Sequence, residues 1–303
     1  MTFQIRILGC GSATPTLYRN PSAQLIEVDN HFLLIDCGEG TQLQLRKYKY
    51  NIQRIDDIFI SHLHGDHYLG LLGLISSMSL LGRQKQLNLY GPAGLEKLVM
   101  INIKLSKTYL NFHINFKTTQ IKKRELILET DNFTVTSFPV KHRVDCTGFV
   151  IRQKEKQRNI IKPLVEKYNL GIAEMVMLKK GQNVIRENGE RILFTEVTCS
   201  AEKPKSYAYC TDTKYYRKII DEVKNVDLLY HEATFLHALK DRAKDTFHST
   251  AIQAATIAKD ATVKKLILGH YSSRYTDVVP LEIEAKTIFS NTTAIDDGML
   301  IEV

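Results

Sequence analysis

Apolar and polar residues alternate in FQIRILG near the start of the chain, with the two-residue period of a half-buried strand. The Gly- and Pro-bearing stretch GSATPTLYRNPS breaks the pattern, which resumes in AQLIEV and HFLLID before a helical period begins near Thr41. RIDDIFIS predicts an apolar strand running directly into HLHGDH, and YLGLLGLISSMSLLG after it predicts a helix buried against a sheet. LNLYG predicts a short strand, with a helix from about Ala93. Strands dominate from about Phe112 to Thr147, including FTVTSFPV, and resume at RILFTEV and SYAYCTDT. The final third reads as a strand in VDLLYHEATF, a helix in STAIQAATIAKDA, a strand in KKLILGHYS and a last helix near Leu281. Strands alternating with helices, without any internal repeat, predict an α/β fold.

One segment departs from the alternation. RQKEKQRNIIKPLVEKYNLGIAEMVMLKKGQNV has few strand signals, and residues 152–180 hold eight Lys or Arg against three Glu. Five charges of the chain's net +8 are therefore concentrated there. This predicts an inserted basic arm at residues 153–183 within one domain spanning residues 1–303, the plain alternative being a solvated surface excursion.

With 303 residues, 44% of them hydrophobic, the chain has enough apolar content for an ordinary packed core. Its longest apolar run, residues 68–82, is shorter than the about 20 residues a bilayer span needs and is interrupted by Ser76, Ser77 and Ser79. No membrane span is expected. The strand-like start lacks the pattern of an export signal, so the expected location is cytoplasmic. Cys10, Cys37, Cys146, Cys199 and Cys210 are scattered and never form Cys-x-x-Cys, which suggests neither a disulfide framework nor a zinc ribbon. Cys210, two residues before Asp212, reads as core packing rather than a thiolate ligand. The basic balance favours an anionic partner without naming it.

The densest chemistry lies in His62, His64, Asp66 and His67. Histidines two apart on an extended segment point to one side, so His62 and His64 can serve one ion, while the chain turns at Gly65. Asp66 and His67 then open the following helix, displaced enough to serve a second. Such density at chelating spacing is poorly explained as a polar strand-end loop. Two ions need further ligands from other strand ends, and His142, Asp212 and His270 stand after FTVTSFPV, SYAYCT and KKLILG. Five imidazoles and two carboxylates suit zinc or a similar borderline ion. His31, His113 and His237 match no motif.

HLHGDH with a downstream His, Asp and His resembles the metallo-β-lactamase superfamily. That resemblance implies a four-layer αββα sandwich with a two-metal site. Within it the chain is most similar to ribonuclease Z of the short form, over essentially its whole length. The stretches that carry this are GSATPT with RNPSA, DCGEGTQ with QLRK, IFISHLHGDHYLGLLGL, FPVKH, YCTDT, HEATF, HSTA and GHYSSRY. It implies an endonuclease that removes the 3′ trailer from precursor tRNA, leaving a 3′-hydroxyl on the tRNA and a 5′-phosphate on the trailer.

Carried over by residue, the resemblance gives His62, His64 and His142 to one zinc ion, Asp66, His67 and His270 to the other, and Asp212 to both. Metal ions lower the pKa of bound water to roughly 7, and Asp66 would accept its proton. His248 would protonate the leaving oxygen and Glu232 would orient it, against the alternative of a capping-region His with a structural Glu. Arg274 would contact phosphate with help from Ser272, unless it holds the C-terminal helix by an ion pair. Asp36 resembles a buried carboxylate that supports the site without binding metal. The arm would grip the tRNA body by phosphate contacts, and the short form implies a homodimer. Two departures stand out: Gly70-Leu71-Leu72-Gly73 replaces Gly-Leu-Pro-Gly, and Glu174-Met175 replaces the arm's Gly-Pro, which leaves the arm's shape open. The rival readings are a small-molecule phosphodiesterase or arylsulfatase of the same fold, and a catalytically idle RNA-binding subunit.

Overall fold

The computed structural model describes residues 2–303. The first half lays down strands β1 (Phe3–Gly9), β2 (Ala23–Val28), β3 (His31–Ile35), β4 (Ile55–Phe59), β5 (Leu87–Gly91) and β6 (Ile114–Thr118). Helices α1 (Thr41–Lys47), α2 (Gly65–Leu80) and α3 (Leu95–Leu105) stand between them. Pairing is antiparallel from β1 to β3 and parallel from β3 to β6. Alternation along each strand decides which side of this sheet a residue serves. Leu33, Ile35 and Phe59 face one core cluster, while Leu34 and Ile58 face another shared with Leu71, Leu74, Ile75 and Met78 of α2. Strands β7 (Glu125–Glu129), β8 (Phe133–Pro139) and β9 (Thr147–Gln153) then begin a second sheet.

Residues 153–204 form a separate compact unit. It contains β10 (Asn159–Ile160), α4 (Lys162–Lys167), α5 (Ile172–Lys179), β11 (Val184–Ile185), β12 (Arg191–Ile192), α6 (Phe194–Val197) and β13 (Thr198–Cys199). A small core of Leu170, Leu178, Val184, Ile192 and Val197 holds it together. The unit runs past the expected boundary at residue 183 because β12 pairs with β11 and β13 returns to pair with β10. RILFTEV is accordingly no sheet strand: only Arg191–Ile192 is extended, and Phe194–Val197 is a helical turn that turns Val197 into the unit's own core. Glu174 accepts the Gly171 N–H at 2.8 Å and the Arg186 guanidinium at 2.7 and 2.9 Å, while Met175 packs against the small core. Arg186 also donates to the Tyr168 and Asn169 carbonyls, so α5 is fastened to the end of α4. Glu174-Met175 thus supplies both a cap and an anchor.

The chain then completes the second sheet with β14 (Ser206–Cys210), β15 (Leu228–Glu232), β16 (Lys265–Gly269) and β17 (Thr292–Ala294). Its order is β17-β16-β15-β14-β9-β8-β7, and β14 to β17 are parallel. Helices α7 (Ile219–Glu222), α8 (Lys240–Thr246), α9 (Ala251–Asp260) and α10 (Val279–Lys286) belong to this half, and the last strand, β18 (Leu300–Glu302), pairs back onto β1. Phe3, Ile5 and Ile7 of the first sheet share a core with Phe149, Ile151, Tyr207 and Tyr209 of the second, which also takes in Ala251, Ala254 and Ala258 of α9. The layers are therefore helix, sheet, sheet, helix. None of the described helices is long and apolar enough to cross a membrane, and all five cysteines are free thiols.

Candidate metal centre and active site

Parallel strands deliver side chains at their carboxyl ends, where the hydrogen-bond ladder stops and loops diverge. Beyond β4, Ser61 to His64 are not helical, and His64 is extended at φ −76°, ψ 145° as the N-cap of α2. Asp66 and His67 therefore lie in the first turn of that helix. Close backbone packing fixes its position: Cys37 N–H donates to the His67 carbonyl at 2.8 Å, and Gly70 N–H to that of Cys37 at 2.9 Å. A Cβ on Gly70 would lie 2.1 Å from the Gly38 carbonyl oxygen, so this glycine of the GLLG stretch is required by contact. Asp36, Asp212 and His270 end their strands with φ of 55°, 29° and 58°, left-handed conformations that cost energy in non-glycine residues and gather at functional sites.

All seven sequence-assigned ligands converge. His62 Nε2 and His142 Nε2 lie 3.0 and 3.1 Å from His64 Nδ1, and 3.5 and 3.6 Å from Asp212 Oδ2. His67 Nε2 and His270 Nε2 are 3.3 Å apart; each is 3.4 Å from Asp66 Oδ2, and they lie 3.3 and 3.0 Å from Asp212 Oδ1. Asp212 offers one oxygen to each group, and both groups have the compactness that a shared cation requires.

The opposite ring nitrogens show which atoms are available. Ser61 Oγ donates to Asp36 Oδ2 at 2.9 Å, so it accepts from His62 Nδ1 at 3.0 Å. His67 Nδ1 donates to Asp36 Oδ2 at 2.7 Å, and His142 Nδ1 to the Phe247 carbonyl at 3.1 Å. Thr234 Oγ1 donates to Glu232 Oε2 at 2.6 Å, so it must accept from His270 Nδ1 at 3.0 Å. When these four rings are neutral, their Nε2 lone pairs face the Asp66 and Asp212 carboxylates. Burial lowers the pKa of His62, His64 and His142, which favours the neutral imidazole that metal binding needs. Burial also works against a charged His67, but Asp212, Asp66 and Asp36 outweigh it and hold its pKa well above the ordinary value. Within salt-bridge distance Asp66 and Asp212 meet only imidazoles among the described residues. The donor set fits divalent metal.

Several contributors had no signature in the sequence. Ala13 N–H, from the GSATPT loop, donates to Asp66 Oδ2 at 2.7 Å. Phe247 holds a left-handed φ of 61°, which turns its carbonyl to His142. Thr213 N–H donates to Glu232 Oε1 at 2.7 Å. Residues assigned from the sequence outside the ligand set are close by. His248 Nδ1 lies 3.0 Å from Glu232 Oε1, and its ring lies 5.3 and 5.4 Å, centroid to centroid, from those of His142 and His270. Burial alone would lower the His248 pKa, but the Glu232 carboxylate holds it up at about 9. Thr250 caps α9 through a reciprocal pair with Gln253. Arg274 is exposed, donates to Ser272 Oγ at 2.9 Å and lies 5.0 Å over the Phe235 ring. Among the described residues it forms no ion pair with α10. Cys210 is a core residue whose thiol burial pushes well up.

The chain is 42% identical over 301 residues to ribonuclease Z of Parabacteroides distasonis, covering 99% of each. To ribonuclease Z of Cytophaga hutchinsonii it is 45% identical over 293 residues, covering 96% of this chain and 93% of that one. The crystal structure of human tRNase Z, short form, superposes with a TM-score of 0.72 at 28% identity, covering 99% of each chain. The metallo-beta-lactamase fold protein YhfI from Bacillus subtilis shares the fold, with a TM-score of 0.71, 22% identity and full coverage of both chains. A family model described as anti-Pycsar protein Apyc1 matches residues 3–161.

Proposed function

The chain belongs to the ribonuclease Z family, and on that premise we propose that it holds two zinc ions and cleaves the 3′ trailer from precursor tRNA with them. It is a metal-dependent endoribonuclease of tRNA 3′ processing. The observation that carries the finer reading is the clustering of His62, His64 and His142 with Asp212 and of Asp66 with His67 and His270, one Asp212 oxygen facing His62 and His142 and the other facing His67 and His270. Zinc bound at about 2.0–2.1 Å in a tetrahedron has ligands about 3.3 Å apart. The histidine–histidine and histidine–carboxylate separations given above run from 3.0 to 3.6 Å, and all ligand atoms within each group lie within 4.8 Å of one another.

Bound metal supplies a water of lowered pKa and neutralises charge on the scissile phosphate. The chain's own residues do the rest. Asp66 accepts the water's proton, its Oδ2 kept in place by the Ala13 N–H. His248, with Nδ1 held by Glu232, presents Nε2 to the leaving oxygen and supplies its proton, leaving a 3′-hydroxyl on the tRNA and a 5′-phosphate on the trailer. Arg274, braced by Ser272 and Phe235, meets phosphate. The basic unit at residues 153–204 grips the tRNA body without reading sequence, in a cytoplasmic homodimer.

Over residues 3–161 the chain also belongs to the family described as anti-Pycsar protein Apyc1. The rival reading, a small-molecule phosphodiesterase, would use the same metal centre. That match stops before Asp212, His248 and His270 and takes in only the start of the basic unit. Purified protein incubated with a trailer-bearing precursor tRNA tests the proposal. Cleavage at the trailer junction, abolished by a chelator and by His64→Ala, supports it; cleavage indifferent to both contradicts it.

A further inference from the structure

Beside His248 lies a cleft of about 280 Å³ lined by Lys214, Lys240, Lys244, Tyr215 and Asp241. Three ammonium groups and one carboxylate leave it positive, and none of the three lysines has a carboxylate within 4.0 Å among the described residues. Lys240 and Lys244 are four residues apart on α8, where like charges repel. Lys244 in the last turn is favoured by the helix dipole, but Lys240 begins the helix, where a cation is disfavoured. Lys214 is set by the active site: its neighbour Thr213 donates its N–H to the Glu232 oxygen that also holds His248. Its ammonium rests 4.9 Å over the ring of Phe247, the residue preceding His248.

We infer that Lys214, Lys240 and Lys244 form a subsite for the RNA phosphate one nucleotide 5′ of the scissile linkage, on the strand retained in the tRNA. The side follows from the chemistry and rests on the proposed function above. His248 protonates the leaving 3′-oxygen, which belongs to the last retained nucleotide. The next backbone anion beyond that ribose is this nucleotide's own 5′-phosphate, and the cleft is lined by the same imidazole. An anion there satisfies lysines that no protein carboxylate neutralises.

The test uses full-length, metal-loaded protein and precursor tRNA carrying a neutral methylphosphonate at one chosen linkage. Lys214→Ala and Lys244→Ala are expected to raise KM about tenfold each, change kcat less than twofold and reduce the salt slope of kcat/KM by about one. A methylphosphonate one linkage 5′ of the cut should impair the wild type by a similar factor and impair a variant lacking all three lysines no further. Placed one linkage 3′ of the cut, it should impair both proteins equally. Additive losses at the 5′ linkage, non-additive losses at the 3′ linkage, or variants with unchanged KM overturn the assignment while cleavage itself proceeds normally. Failure of the wild type to cleave any precursor tRNA overturns the functional reading, and the assignment with it. Thermal melting of each variant separates lost binding from lost folding.

Discussion

Glu232 Oε1 receives two donors at once, His248 Nδ1 at 3.0 Å and the Thr213 backbone N–H at 2.7 Å, and the carboxylate is fully buried. A carboxylate fixed this way cannot follow the imidazole; the imidazole must take its orientation from the carboxylate. His248→Ala is expected to lower kcat by about 10²–10⁴-fold, and Glu232→Gln by a smaller factor, with metal content unchanged in both. Single-turnover cleavage alongside elemental analysis checks this, and loss of metal in His248→Ala would contradict the role.

Thr234 links this pair to the metal ligands. Its one hydroxyl proton goes to Glu232, which obliges His270 to donate from Nδ1 and keeps Nε2 bare. Thr234→Val preserves shape but removes the acceptor, and is expected to weaken metal binding about 10–100-fold, with Thr234→Ser restoring it. Chelator competition measures the effect.

Asp36 accepts four hydrogen bonds, from Ser61 N–H, Ser61 Oγ, His67 Nδ1 and the Tyr209 hydroxyl. Asparagine replaces one acceptor oxygen by a donor in a fully buried place. Asp36→Asn is expected to cost about 2–4 kcal/mol in urea unfolding and to loosen metal binding at His67. Unchanged stability would show that the network rearranges freely.

Replacing residues 153–204 by a short Gly-Ser linker removes a compact unit with its own core. Cleavage of precursor tRNA is expected to fall at least about a hundredfold in kcat/KM, because the phosphate contacts proposed for the unit go with it. Turnover of a small phosphodiester such as bis(p-nitrophenyl) phosphate should persist. Equal loss of both activities would tie the unit to the chemistry instead.

The Glu174–Arg186 pair predicts a pH response inside that unit. Hydrogen bonds from Arg186 and the Gly171 N–H lower the Glu174 pKa to about 2. Being depressed below the usual carboxylate value of about 4.3, it contributes stability that is complete above that value and is lost as pH falls through about 2. The pair is exposed, so the effect is small. Protection of the amides in residues 168–190, taken as exchange relative to the intrinsic rate at each pH, should fall a fewfold as pH drops from 5 to 2. Glu174→Gln should exchange faster at neutral pH and lose that dependence.

Much of the metal centre was legible because its donors are side chains of distinctive type at strand ends. HLHGDH puts four of them in six residues, and His142, Asp212 and His270 each follow a strong strand pattern. Supporting groups were not legible. The Ala13 and Thr213 N–H groups and the Phe247 carbonyl act through backbone, which any residue carries, and Thr234 acts through a common hydroxyl. RILFTEV misled for a related reason: its apolar content suits a strand, but its actual partner is the small core of residues 153–204, too small to need a long one. The short strands β17 and β18 were missed because three residues give no readable period.

Hydrolysis is expected to depend on a pair of ions held by seven converging side chains. Chelator-stripped protein titrated with zinc tests it most directly, with bound metal and precursor-tRNA cleavage followed together. Activity should appear only as the second equivalent fills and saturate at two ions per chain, and Asp212→Ala should neither bind the pair nor cleave. Full activity at one equivalent, or undiminished cleavage by Asp212→Ala, would contradict the account.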